Sequence, residues 1–260
     1  MAPAGGRAEF SVGKVLGDTF STYFGNFIPF TLLGIVIYVP YLVAIAALAG
    51  GLVASTQSSL QLIRTYGVVA GLASFLVTFV LGAFVTAGIT YGSIEHMSGR
   101  RYNFGALLGR AFRAFIPVAF ASLLVGIIIG LGLMLLIVPG IILYLMFAVT
   151  IPVIVAETEG PTDAMGRSSR LTSGYRWGIL GGYIVCLILL MAVSFVLALV
   201  IGALAAAGGG LAGSIVLTIV SLLSNSISAG ISGCFAAAVY VSLRQVKEGA
   251  GIEELASVFD

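Results

Sequence analysis

Charge is scarce in this chain. Of 260 residues, twelve are Lys or Arg and ten are Asp or Glu, so charged side chains make up only 8%. A soluble domain carries about 25%. With 60% hydrophobic residues and a mean hydropathy of +1.16, the chain lacks the polar surface an ordinary water-soluble enzyme needs. The net charge of +2 is too small to mark a nucleic-acid binder. There is one histidine, His96. A zinc protease motif needs two on one helical face, so that chemistry is excluded. The two cysteines, Cys186 and Cys234, lie in apolar runs far from any histidine and read as reduced packing residues. No phosphate-cradling glycine loop and no G-x-S-x-G nucleophile elbow is present. Catalysis is not expected, and no cofactor or metal is called for.

What is present is a set of long charge-free runs: residues 19–63, 65–94, 114–156 and 177–243. A bilayer core of about 30 Å takes roughly 20 helical residues. The runs therefore predict an all-α polytopic membrane protein with six transmembrane helices, at about 27–48, 66–92, 114–137, 140–156, 178–203 and 213–242. A polar turn containing Ser55, Thr56, Gln57 and Ser58 separates the first two. Pro139 and Gly140 supply the tight turn between the third and fourth, because proline breaks the helical ladder and glycine tolerates a left-handed backbone. Gly208-Gly209-Gly210 divides the last two.

Orientation follows from the basic residues, which favour cytoplasmic loops. Six spans place every Lys and Arg except Arg64 on one side. Both termini are then cytoplasmic, with residues 244–260 as a tail. A cleavable leader is not expected, since the segment before Phe27 is long and electrically balanced.

Three segments share a layout of amphipathic stretch followed by apolar hairpin. They begin at Gly13–Phe20, Gly105–Phe112 and Asp163–Arg170, and the first two reach Ile28-Pro29 and Ile116-Pro117. This suggests a threefold repeat. The amphipathic segments, about 11–24, 103–113 and 161–174, are expected to lie in the headgroup layer with their apolar sides towards lipid. Gly160-Pro161 opens the third, with Asp163 in its first turn, and Ser173-Gly174 closes it.

Helices in lipid associate through close backbone approach and interhelical hydrogen bonds. Small-xxx-small pairs occur at Gly67/Gly71, Gly88/Gly92, Gly126/Gly130, Gly178/Gly182 and Gly209/Gly213. A polar stripe of Ser221, Ser224, Asn225 and Ser228, continued by Ser232, runs along the last span. It is expected to make interhelical hydrogen bonds. Arg100, Arg101, Arg110, Arg113, Arg167, Arg170 and Arg176 set topology and are candidate contacts for anionic lipid headgroups. Glu95 and His96 read as an interfacial pair.

The run Leu133–Ile142 around Pro139-Gly140, then Ile151-Pro152-Val153, then Ala164–Thr172 resembles YciC-type bacterial inner-membrane proteins. The membrane domain attached to some glycerophosphoryl diester phosphodiesterases has the same look. Leu223–Ser228 is similar to the final span of the YciC group. The resemblance implies a multi-pass protein of the bacterial inner membrane without an assigned reaction. The reading that follows is a non-enzymatic protein that binds lipid or other membrane proteins, itself included, as a scaffold or envelope-homeostasis factor. The alternative is a small-molecule or lipid transporter with a site between repeats near Asn225 and the Pro139-Gly140 break. A scaffold predicts a solid bundle, and a transporter a continuous polar cavity.

Overall fold

The computed structural model describes residues 10–54, 59–207 and 211–249. Ser55–Ser58, Gly208–Gly210, Arg7 and the end of the tail lie outside them. Nine helices and no strand occur among the described residues: α1 Val12–Gly25, α2 Phe27–Ala54, α3 Ser59–Met97, α4 Phe104–Leu135, α5 Ile137–Met146, α6 Thr150–Glu157, α7 Pro161–Thr172, α8 Arg176–Ala207 and α9 Leu211–Glu248. Five stretches are long and apolar enough to cross a membrane: Gly67–Met97, Phe104–Leu135, Ile137–Glu157, Arg176–Leu199 and Leu222–Glu248. A sixth is formed by α1 with α2 up to Val43, bent by 72°. The chain is an all-α polytopic membrane protein.

The bend falls at Asn26. Its backbone N–H and side-chain amide both donate to the carbonyl of Thr22, which satisfies the end of α1 while the chain turns. Tyr102 Oη donates to Asn26 Oδ1 at 2.6 Å and fixes the corner from the α3–α4 loop. The first amphipathic segment is thus a helix of its own. Its inner face, Val15, Thr19, Thr22 and Tyr23, is buried, and Tyr23 closes on Gly230 of α9. Protein covers the face that sequence assigned to lipid.

The middle segment behaves differently. Asn103 caps α4, its Oδ1 accepting from the Ala106 N–H at 2.7 Å, and the helix continues unbroken through Pro117 into the span. The third segment, α7, is a separate helix opened by Pro161 after Gly160. Gly174, at φ +88°, turns the chain towards α8, where a Cβ would be strained.

The turn between α4 and α5 falls on Leu136, in an extended conformation (φ −158°, ψ 142°), and not on Pro139-Gly140. Pro139 lies in the first turn of α5, where its missing N–H is no loss. Gly140 serves a different purpose from the one expected of it. Its φ is not positive. A β-carbon there would run into the Leu133 side chain and stand 2.8 Å from the Leu133 backbone nitrogen. Gly140 is needed for contact between α4 and α5. The hairpin tip is wholly apolar: Met134, Leu135, Leu136, Ile137 and Val138 are all exposed.

Helix α9 is the centre of the bundle. Of its most apolar window 72% is buried, against 11% for α8. Its small side chains admit its neighbours: Ser226 meets Gly34 of α2, Gly230 meets Tyr23 of α1, and Gly233 meets Ile89 of α3. Among the expected glycine pairs, Gly88/Gly92 and Gly178/Gly182 are tightly covered, whereas Gly126, Gly130 and Gly71 face open space. Gly209 lies outside the described residues.

Candidate functional site

Between α4, the α5–α6 span, α8 and α9 there is a cleft of about 410 Å³. One wall is aromatic. Tyr144 meets Tyr183 edge-on at 5.0 Å between ring centroids, and Tyr183 meets Phe235 at 4.7 Å. The opposite wall is the α4 face carrying Ala121, Val125 and Gly126. The lining is apolar apart from a few hydroxyls, including those of Ser122 and Thr150. Both of these are buried without a hydrogen-bond partner. A buried hydroxyl left unsatisfied costs about 1–3 kcal/mol, and two such hydroxyls belong to residues that line the cleft. Cys186 lines it as well. Both cysteines are free and buried, and Cys234 Sγ accepts from Ser93 Oγ at 3.3 Å.

The cleft meets the α5–α6 span where that span is broken. The Thr150 N–H bonds to the Phe147 carbonyl instead of reaching Met146, as an unbroken helix would require. The Met146 carbonyl and the Val149 N–H therefore need other partners. Helix α7 supplies them. Ser168 Oγ accepts from the Val149 N–H at 3.3 Å and donates to the Met146 carbonyl at 2.9 Å. Thr172 Oγ1 donates to the same carbonyl at 3.3 Å. Ala164, Ser168, Leu171 and Thr172 form the buried face of α7.

Arg167, three residues after Ala164 and four before Leu171, stands at the edge of that buried face and enters an ion-pair network. Its Nε lies 3.0 Å from Glu157 Oε2 and its Nη1 2.6 Å from Glu248 Oε1. Glu248 Oε2 accepts from Arg244 Nε at 2.9 Å. Tyr240 donates to Glu157 Oε1 at 2.8 Å and accepts from Arg244 Nη1 at 3.3 Å. Burial opposes the charge on Arg167, but its hydrogen bonds to Glu157 and Glu248 outweigh this and hold the guanidinium above its ordinary pKa. Sequence reading passed over Glu157, Tyr240, Arg244 and Glu248. The available signal was that Glu157 and Arg244 stand at the ends of charge-free runs.

The remaining arginines have separate surroundings. Arg110 donates to the Val155 carbonyl at 2.8 Å and shares a small pocket with Arg113. Arg101, Arg113 and Arg170 are exposed, and Arg100 and Arg176 are partly buried. The Arg170 carbonyl accepts from Lys247 Nζ, and Lys14 Nζ donates to Gln245 at 3.2 Å. These contacts bring α1, the end of α6, α7 and the end of α9 to one end of the bundle. The seven arginines do not converge on a single site. Glu95 is buried, 4% exposed, while His96 is exposed.

The polar stripe does not line the cleft. Ser224 and Ser228 are partly buried and Asn225 is exposed. The Ser221 side chain lies outside the described ones. Ser232 alone of that series reaches the cleft. Neither Asn225 nor Pro139 and Gly140 borders it, so the groups assigned to a transport site are not brought together there. Among the described residues, no group of three or more His, Cys, Asp or Glu side chains is arranged to hold a metal ion. No family model, curated protein or solved structure matches the chain.

Proposed function

We propose that this is a non-enzymatic, lipid-binding protein of the bacterial inner membrane, with both termini cytoplasmic, in which an acyl chain occupies the cleft between α4, α5–α6 and α8. The observation that carries this reading is the cleft itself. A passive scaffold is expected to have a solid interior and a solute carrier a polar passage, and an apolar cleft favours neither. An apolar cavity of this size suits a hydrocarbon chain. The resemblance of residues 132–180 to YciC-type proteins belongs to the same proposal. So does a role in envelope homeostasis through lipid or through neighbouring membrane proteins. The basic residues gathered at one end support the orientation.

Gly126 provides the test. A β-carbon at this position meets nothing within 4 Å, and Gly126 lines the cleft, so Gly126→Phe would place a bulky ring at its wall. Native mass spectrometry of the full chain released from lipid nanodiscs should show tightly retained lipid on the wild type and less on the variant. Equal retention on both would overturn the cleft reading.

A further inference from the structure

Arg113 of α4 and Glu159, just beyond α6, line one pocket of about 170 Å³ with Arg110, Pro117, Ile154 and Thr158. Arg113 is exposed, and among the described residues no ion pair joins it to Glu159. Oε2 of Glu159 is buried and accepts no hydrogen bond. Opposite charges that share a pocket without closing on each other leave room for a ligand carrying the same two charges in reverse order. The chain reaches Glu159 through the left-handed C-cap of α6. Thr158 is the one non-glycine among the described residues with a positive φ, at 53°, a region that side chains with a Cβ disfavour. It carries the backbone from α6 to Glu159.

Depth in the bilayer narrows the ligand. Arg110, Arg113 and Pro117 fall on one face of α4 by helical spacing, and the charge-free run begins at Ala114. The pocket therefore sits where charged side chains give way to apolar ones. Immediately beyond it, Ile116, Phe120 and Leu123 of α4 are exposed. We propose that the pocket binds the headgroup of an aminophospholipid. The phosphate lies against Arg113, with Arg110 adding positive charge. The primary ammonium pairs with the Glu159 carboxylate, and the acyl chains run along the exposed side of α4. An anionic lipid without an amine would bring its negative phosphate towards Glu159 with no positive charge to offset the carboxylate. A quaternary ammonium has no N–H to donate. This inference rests on the lipid-binding reading but not on occupancy of the cleft.

The test uses the full chain in nanodiscs containing equal parts of phosphatidylethanolamine, phosphatidylglycerol and phosphatidylcholine, with retained lipids identified by native mass spectrometry. The wild type should retain phosphatidylethanolamine in preference to both others. Arg113→Gln should weaken that retention about fivefold, the effect of one basic residue at a membrane surface. Glu159→Gln should abolish the preference over phosphatidylglycerol. Arg113 is exposed and among the described residues makes no hydrogen bond or ion pair, so its replacement is expected to leave the fold intact. Retention by the wild type with no headgroup preference, or unchanged preference in both variants, would overturn the headgroup site alone. A wild type that holds no lipid would overturn the broader reading as well. Loss of preference in Arg113→Gln with Gly126→Phe indistinguishable from wild type would discard the cleft and keep the headgroup site.

Discussion

Arg167 of α7 and Glu248 at the end of α9 stand 2.6 Å apart, and the same guanidinium holds Glu157 at the end of α6. One side chain thus joins three helices. The side chains are 22% exposed for Arg167 and 15% for Glu157, so solvent screens the pair only in part. Arg167→Met would leave Glu157 with Tyr240 as its remaining partner and Glu248 with Arg244. A loss of about 1–3 kcal/mol is expected, less than for a fully buried pair because of the remaining exposure. Thermal unfolding in detergent should show the drop for Arg167→Met and a smaller one for Arg167→Lys, which keeps the charge but not the fork of donors.

The break in the α5–α6 span depends on a hydroxyl from another helix. Ser168→Ala would leave the Val149 N–H without its acceptor, whereas the Met146 carbonyl would keep Thr172. About 1–3 kcal/mol of destabilisation is expected from one buried unpaired donor. Hydrogen exchange read by mass spectrometry should show faster exchange at 147–150 in the variant. Unchanged protection there would show that the break is held by packing alone.

Glycines of equal standing in the sequence should respond in opposite ways. Gly140→Ala forces a β-carbon against Leu133, and about 1–3 kcal/mol of loss is expected from overpacking. Gly130→Ala meets open space and should gain up to about 1 kcal/mol from helix propensity. Melting temperatures of the two variants, measured side by side, should move in opposite directions.

Exposed Arg101 and Arg170 should report on the same side of the membrane. Single cysteines placed there, in a chain with Cys186 and Cys234 replaced, should react with a membrane-impermeant maleimide in inverted vesicles and stay unlabelled in right-side-out cells. Labelling of one position in each preparation would refute the six-span threading.

The fold was legible because lipid imposes a coarse rule: charge-free length gives the spans. Cap chemistry was legible too, as Gly160-Pro161 and Ser173-Gly174 show. Partners were harder to read. Arg167 and Arg113 look alike in sequence, yet one lies between two carboxylates and the other faces an open pocket. The difference depends on where α6 and α9 end in space, and periodicity carries no such information. Gly126/Gly130 and Gly88/Gly92 have the same spacing, but only the second pair meets a neighbouring helix. Ser168 lies within the Ala164–Thr172 run with nothing local to mark its role, because the carbonyl it serves is 22 residues earlier in the chain. Asn225 is the most polar residue of its stripe yet is exposed, while the adjacent Ser226 is buried against Gly34 of α2.

The α4–α5 hairpin turns at Leu136 amid Met134, Leu135, Ile137 and Val138, with no polar side chain at its apex. Its two arms can therefore enter the bilayer together, apex first, without moving any ionised group through the oil. No side chain at that corner is polar, so a protease or antibody that meets the apex finds only oily side chains to grip.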